Sequence, residues 1–187
     1  TVKDFIEAAK KNPGKLKQSG GSLTSRDNTT RFLLMKETGA NWQFISMKSG
    51  GERVAALLGG HVDMYMMEPA EALEQIRAGK IRVLATLMNK RIPALPDVPT
   101  LQEQGYKVPE VPQPRGFVGP PALPKDVKAY WVGVFTKMHE SPAWKGFLKE
   151  NYYEDGFLTG DALDKFVREY RGQMREILKE AGIKLVR

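Results

Sequence analysis

Apolar positions recur along this chain with a period that switches between helix and strand. Val2, Phe5, Ile6 and Ala9 share one face of a helix, which Thr1 and Asp4 cap at its start and Pro13-Gly14 close. A short strand is predicted over Lys15–Ser19. Arg26–Thr38 reads as a helix through Phe32, Leu33 and Met35, stopped by Gly39, and Asn41–Met47 as a strand around Trp42, Phe44 and Ile45. The segment GGERVAALLGGHVDMYMMEPAEAL, Gly50 to Leu73, then packs several elements together. It holds a glycine turn, a helix with Val54, Leu57 and Leu58 on one face, and a stop at Gly59-Gly60. A strand over His61–Met66, apolar at Val62, Met64 and Met66, follows, and Pro69 opens another helix. Ile81–Leu87 is predicted as a fourth strand. The order αβαβαβαβ argues for an α/β fold with a mainly parallel sheet covered on both faces.

Pro93, Pro96, Pro99, Pro109, Pro112, Pro114, Pro120, Pro121 and Pro124 break the pattern, because proline fixes φ and donates no hydrogen bond. This stretch is the expected crossover. Beyond it Lys125–Glu140, Pro142–Asn151 and Asp161–Ala181 read as helices. The last carries a stripe of Leu163, Phe166, Val167, Tyr170, Met174, Ile177 and Leu178, with Asp161 as N-cap and Gly182 as stop. No internal repeat is present.

Composition narrows the function. The chain has 187 residues, 41% of them hydrophobic, which is enough for a core. No run approaches the roughly 18 apolar residues that a membrane span needs. Zero Cys excludes disulfides, thiolate catalysis and Cys-based zinc sites. His61 is expected at a strand edge and His139 at a helix end near the favourable dipole, so no metal site is expected. The net charge of +7 is scattered, with acids interleaved, and no nucleic-acid motif accompanies it. No phosphate loop, dinucleotide fingerprint or nucleophile elbow occurs, and no His lies near a candidate Ser nucleophile. Catalytic residues and cofactors are therefore expected to be none.

In an open parallel sheet, ligands sit beyond the carboxyl ends of the strands, where loops gather backbone donors and helix N-termini. Three loops qualify. SGGSLTSRDN, Ser19 to Asn28, offers close-approach glycines with Ser22, Thr24 and Ser25 hydroxyls at a positive helix start, which suits a carboxylate. The others are Met47-Lys48-Ser49-Gly50-Gly51 and Met66-Met67-Glu68-Pro69. The plainer readings are helix capping for the Ser and Thr residues and gap filling for Met47 and Met67.

The Gly50–Leu73 block, with AGKIRVLAT (Ala78 to Thr86) and RIPALPDVPTLQEQGY (Arg91 to Tyr106), resembles the substrate-binding protein of tripartite tricarboxylate transporters, the TctC or Bug family. The likeness extends to VKDFIEAAKKNPGKLK, PRGFVGPPALPKDV, SPAWKGFLKEN and EILKEAGI, essentially the whole chain. It implies a periplasmic-binding-protein-like venus flytrap. Residues 1–110 would be the second, ligand-binding lobe, and residues 111–187 a C-terminal segment returning to a first lobe whose N-terminal half and signal peptide are expected to be absent. The implied function is an extracytoplasmic, periplasmic receptor that captures a small organic acid for membrane permease subunits. A sensor signalling to a protein partner is the alternative, and an α/β enzyme the remote one. Self-association or domain exchange through the apolar faces of the last helices is expected.

Position by position, the resemblance points to Gly21, Ser22, Thr24, Ser25, Lys48, Met67 and Glu68 as ligand contacts, with Met47 in the same loops. Three positions depart from the family pattern. Leu23 stands where a small residue or Asn is usual, Met47 where an aromatic is common, and Glu68 where a neutral Asn is typical. If Glu68 faces the ligand, citrate-like acids should bind poorly.

Overall fold

A computed structural model of the chain describes residues 1–183. The first helix, α1, runs Val2–Lys11 and begins on the expected capping box: Thr1 Oγ1 accepts the Asp4 N–H at 3.2 Å while the Asp4 carboxylate takes the Thr1 amine at 2.9 Å. Next come β1 (Lys17–Gly20), α2 (Arg26–Thr38), β2 (Gln43–Ser46), α3 (Gly50–Leu58) and β3 (Met64–Tyr65). A single 3-10 turn at Pro69–Glu71 then leads into the short α4 (Leu73–Arg77). The proline-rich stretch carries no helix or strand, and α5 (Lys125–Glu140), α6 (Pro142–Glu150) and α7 (Gly160–Glu180) follow it. Gly39 stops α2 in the left-handed conformation, at φ 70°, as its position predicts.

The sheet is parallel, in the order β2-β1-β3. Gln18 lies in register with Phe44 and Met64, and Ser19 with Ile45 and Tyr65, so the two faces alternate along the central strand. One face meets α1 and α2 around the fully buried Trp42, whose ring packs edge-on against Phe5. The Trp42 indole N–H donates to Gln18 Oε1 at 2.9 Å, and Gln18 Nε2 donates to the Asp27 carbonyl, which fastens α2 to the central strand. The opposite face packs Val54, Tyr65, Ala72 and Ile81, with Leu57, Met67 and Ile76 against them.

The strands differ from the sequence expectation in informative ways. Instead of Lys15–Ser19, β1 begins at Lys17, because the Lys15 N–H closes a turn onto the Asn12 carbonyl. β2 is shorter than Asn41–Met47. β3 shrinks from His61–Met66 to Met64–Tyr65: the Asp63 N–H donates to the Lys17 carbonyl at 2.8 Å, but the Lys17 N–H goes to the Asp63 carboxylate at 2.7 Å, a side chain. Ile81–Leu87 forms no strand, and Thr86 makes only an isolated parallel bridge with Thr100. The facing segment holds Pro96 and Pro99, which lack the donors that would extend a ladder. Pro69 opens the 3-10 turn rather than an α-helix. On α3 the buried face is Val54 and Ala56, while Leu58 is exposed.

Packing divides the chain into two units, one of Thr1–Pro112 with the segment from Met174 onward, the other Gln113–Gln173. In the first, Ile177 and Leu178 of α7 are buried and Glu180 pairs with Lys36 at 2.7 Å. In the second, neither α5 nor α6 has a buried residue. Phe117 stacks on Phe135, and Trp131 on Phe135 in turn, yet Phe117, Tyr130 and Trp131 remain exposed. Of the expected α7 stripe, Leu163 and Val167 are exposed too, and Asp161 lies in the first turn rather than at the cap. His139 sits in the last turn of α5, its Nε2 2.8 Å from the Asp155 carboxylate and its ring stacked on Phe157.

Ser19 is sealed inside, and its hydroxyl has no hydrogen-bond partner. An unsatisfied buried hydroxyl costs about 1–3 kcal/mol. Ser19→Ala is therefore expected to leave stability unchanged or raise it, read by urea unfolding of wild type and variant. A loss of more than about 1 kcal/mol would show the hydroxyl to be stabilising after all.

Candidate functional site

Parallel strands that end at one level bring three loops together at the carboxyl edge of the sheet: 21–25 after β1, 47–49 after β2 and 66–68 after β3. Gly20 at the end of β1 sits in register with Ser46 at the end of β2, and the Gly20 carbonyl accepts the Met47 N–H at 2.9 Å. Ser46 Oγ donates to the Gly21 carbonyl. The first two loops are thus fixed to each other at their roots.

The first loop is shaped by a carboxylate that sequence reasoning passed over. Asp27, buried in the first turn of α2, accepts the Gly21 N–H at 2.8 Å with one oxygen and the Ser25 hydroxyl with the other. Two of the expected ligand donors are therefore committed inside the protein. Ser25 Oγ also lies 2.5 Å from the Ser22 carbonyl. A Cβ on Gly20 would stand 2.1 Å from Asp27 Oδ2 and 2.3 Å from the Phe44 ring, so only glycine lets the carboxylate settle there. Ser25 is the N-cap of α2 by position but its side chain caps nothing, which removes the capping explanation for this residue. The first-turn N–H groups of α2 thus lack that cap, beside the exposed Ser22 and Thr24, whose hydroxyls lie 3.1 Å apart. Leu23 is 60% exposed, and its carbonyl is held by Asn28.

The second loop behaves differently. Ser49 does cap its helix, accepting the Glu52 N–H at 3.2 Å, while Glu52 in return accepts the Lys48 N–H at 3.0 Å. Lys48 is exposed and Met47 half-buried. In the third loop Met67 packs against the Val54–Tyr65 cluster, as the gap-filling reading expects. Glu68 is half-buried, and its carbonyl accepts the Glu71 N–H at the start of the 3-10 turn.

One side chain links the first two loops to the end of β3, and it too was missed. Arg53 on α3 donates to the Met47 carbonyl from Nη2 at 3.1 Å and to Tyr65 Oη from Nη1 at 3.3 Å, and its Nη2 lies 3.5 Å from where a Cβ on Gly21 would be. Tyr65 donates onward to Glu71 Oε2 at 2.5 Å. Glu71 in turn crosses over Gly50, where a Cβ would meet Oε1 at 2.8 Å. A cation on a helix otherwise rich in Val, Ala and Leu was the available signal. Its partners are 6 and 12 residues away along the chain and carry no periodic signature. Among the described residues no group of three or more His, Cys, Asp or Glu could hold a metal, and no helix is long and apolar enough to cross a membrane.

Comparison with known proteins places this geometry. The model of the tripartite tricarboxylate transporter family receptor matches residues 1–183. A UPF0065 protein in the gbd 5' region of Cupriavidus necator is 32% identical over 98% of this chain and 55% of its own length. An R. palustris protein solved with adipate superposes with a TM-score of 0.81 at 22% identity, over 100% of this chain and 62% of that one. The periplasmic binding protein BugD superposes with a TM-score of 0.76 at 25% identity, over 98% and 62% respectively. The chain thus spans a little over half the length of its curated relative.

Burial first, and then the hydrogen bond to Glu71, hold the Tyr65 phenol above its ordinary pKa of 10.0. A raised folded-state value favours the protonated phenol, so that stability is whole below the unfolded value and declines as pH climbs from there through the folded one. Unfolding free energy should therefore begin to fall above pH 10.0, with no matching rise in phenolate absorbance from Tyr65. Alkaline melting series on wild type and Tyr65→Phe check this; an identical alkaline decline in both would refute it.

Proposed function

Since the chain belongs to the tripartite tricarboxylate transporter receptor family, we propose that it supplies one wall of an extracytoplasmic, periplasmic receptor that captures a small organic acid for membrane permease subunits. The observation that carries this reading is the convergence of three loops at one edge of a parallel sheet, with the Ser22 and Thr24 hydroxyls beside a helix start that Ser25 leaves uncapped. The R. palustris neighbour solved with adipate supports a carboxylate as ligand. Ser22 and Thr24 contact the acid in this reading, together with first-turn N–H groups of α2. Gly21 and Ser25 act one step back by fixing Asp27. Lys48 and Glu68 flank the site with opposite charges, and Met47 and Met67 give it apolar walls. The family is one of transporter receptors, and the edge holds no His beside a Ser hydroxyl, so binding without turnover is the expected activity. Transmission to a signalling partner would use the same site. Exposed Phe117, Tyr130 and Trp131 support self-association as an accompanying property.

Calorimetry of the protein as its gene encodes it, titrated with adipate, malate and citrate and followed by mass spectrometry of the recovered solutes, tests the reading. At least one acid should bind and be recovered unchanged. Binding of none, or catalytic formation of a product, would overturn it. Glu68 adds a specificity element: a second ligand carboxylate about 4 Å away would be repelled by roughly 4 kcal/mol at an effective dielectric of 20. Glu68→Asn should accordingly raise the affinity for citrate more than for a monocarboxylate carrying an amine. Equal changes for both would take Glu68 out of ligand selection.

A further inference from the structure

We propose that Arg53 is the cation that receives the ligand's carboxylate, and that Tyr65 and Glu71 hold it in place for that purpose. This rests on reading the carboxyl edge as a carboxylate site, and it assigns the anchoring charge to a residue of α3 rather than to Lys48. Arg53 is half-buried between Met47, Gly21 and Tyr65 at the end of β3, whereas Lys48 is exposed and touches the edge through its backbone. Its guanidinium donates through Nε and Nη2 to the Met47 carbonyl and through Nη1 to Tyr65 Oη. Two of a guanidinium's five N–H groups are thereby left uncommitted among the described residues. Nη2 carries one of them, 3.5 Å from the Cβ direction of Gly21, on the side of the hydroxyl loop. A side chain at residue 21 would crowd that approach, and glycine leaves it open.

The far side of the guanidinium explains why it stays in position and keeps its charge available. Tyr65 accepts from Arg53 and donates to Glu71, so the carboxylate reaches the guanidinium only through a neutral phenol. A direct ion pair would hold both Arg53 forks against Glu71. The interposed phenol instead leaves one N–H on Nη1 and one on Nη2 for a planar carboxylate, with Nη2 near the first loop. The ligand's carboxylate would then lie between Arg53 and the Ser22 and Thr24 hydroxyls.

Two probe pairs separate charge recognition from packing: adipate with its neutral diamide adipamide, and malate with malamide, each measured by calorimetry on the protein as its gene encodes it. For wild type, the acid of at least one pair should bind more tightly than its diamide. Arg53→Gln should weaken that acid by roughly 10- to 100-fold while leaving the diamide unchanged, so the preference collapses. Arg53→Lys keeps the charge but not the fork and should restore only part of it. Tyr65→Phe, which releases the guanidinium without removing it, should cost less than about tenfold. If Arg53→Gln and Arg53→Lys both stay folded by circular dichroism and keep the wild-type preference for acid over diamide, Arg53 is not the anchor, although the carboxylate reading stands. If wild type itself shows no preference for either acid, that reading fails and this assignment with it.

Discussion

A carboxylate belonging to the protein itself sets the form of the candidate site. Asp27 takes the Gly21 N–H and the Ser25 hydroxyl, and it rests where any side chain on Gly20 would collide with it. It also lies in the first turn of α2, where a helix favours a negative charge. The loop is therefore organised before any ligand arrives, at the expense of donors that the ligand could have used. Two like charges about 5 Å apart at an effective dielectric of 20 repel by roughly 3 kcal/mol. The N-terminal end of α2 offers only about half an elementary charge, and Asp27 already draws on it. An incoming acid consequently needs a positive partner from another element, and α3 is the element that carries one beside Gly21.

The two faces of the sheet divide this work. On the α2 face, Trp42 and Gln18 clamp the first turn of that helix to the central strand, and the same turn presents Asp27 to the loop. On the α3 face, Tyr65 is at once a core residue packed with Val54 and Ala72 and the phenol that contacts Arg53 and Glu71. Asp27, Arg53 and Glu71 are thus each tied to a buried aromatic ring through one or two hydrogen bonds. Loosening either core cluster would be felt at the site before it was felt as unfolding, because the polar contacts depend on ångström-scale placement.

Much of this architecture was legible in the residues, and the boundary of what was legible has a physical cause. Helices α2 and α5 fall on the ranges expected for them, with Gly39 stopping α2, since such stop signals are local. The three loops and their placement at one edge follow from strand–helix alternation. Strand limits were not readable, because they depend on what the neighbouring segment can donate and accept: the Lys17 N–H turns to the Asp63 carboxylate instead of a carbonyl, and prolines opposite Ile81–Leu87 prevent a ladder. Asp27 and Arg53 carry no local signal that singles out their partners. Their roles appear only when Gly21, Met47 and Tyr65, distant in sequence, meet at the sheet's edge.

The arrangement around Arg53 also bears on how selective such an edge can be. A flexible exposed cation such as Lys48 would lose rotamer freedom on meeting a ligand, a cost of about 0.5–1.5 kcal/mol for an immobilised side chain. Arg53 has already met that cost in folding, held by Met47 on one side and Tyr65 on the other. Burial and Glu71 keep the phenol protonated, so it can accept from the guanidinium without adding a full negative charge against it. Glu71, for its part, lies over Gly50, where a side chain would push its carboxylate aside. Positive charge, fixed direction and limited quenching at this edge therefore rest on four residues, Gly50, Arg53, Tyr65 and Glu71, whose contacts depend on one another.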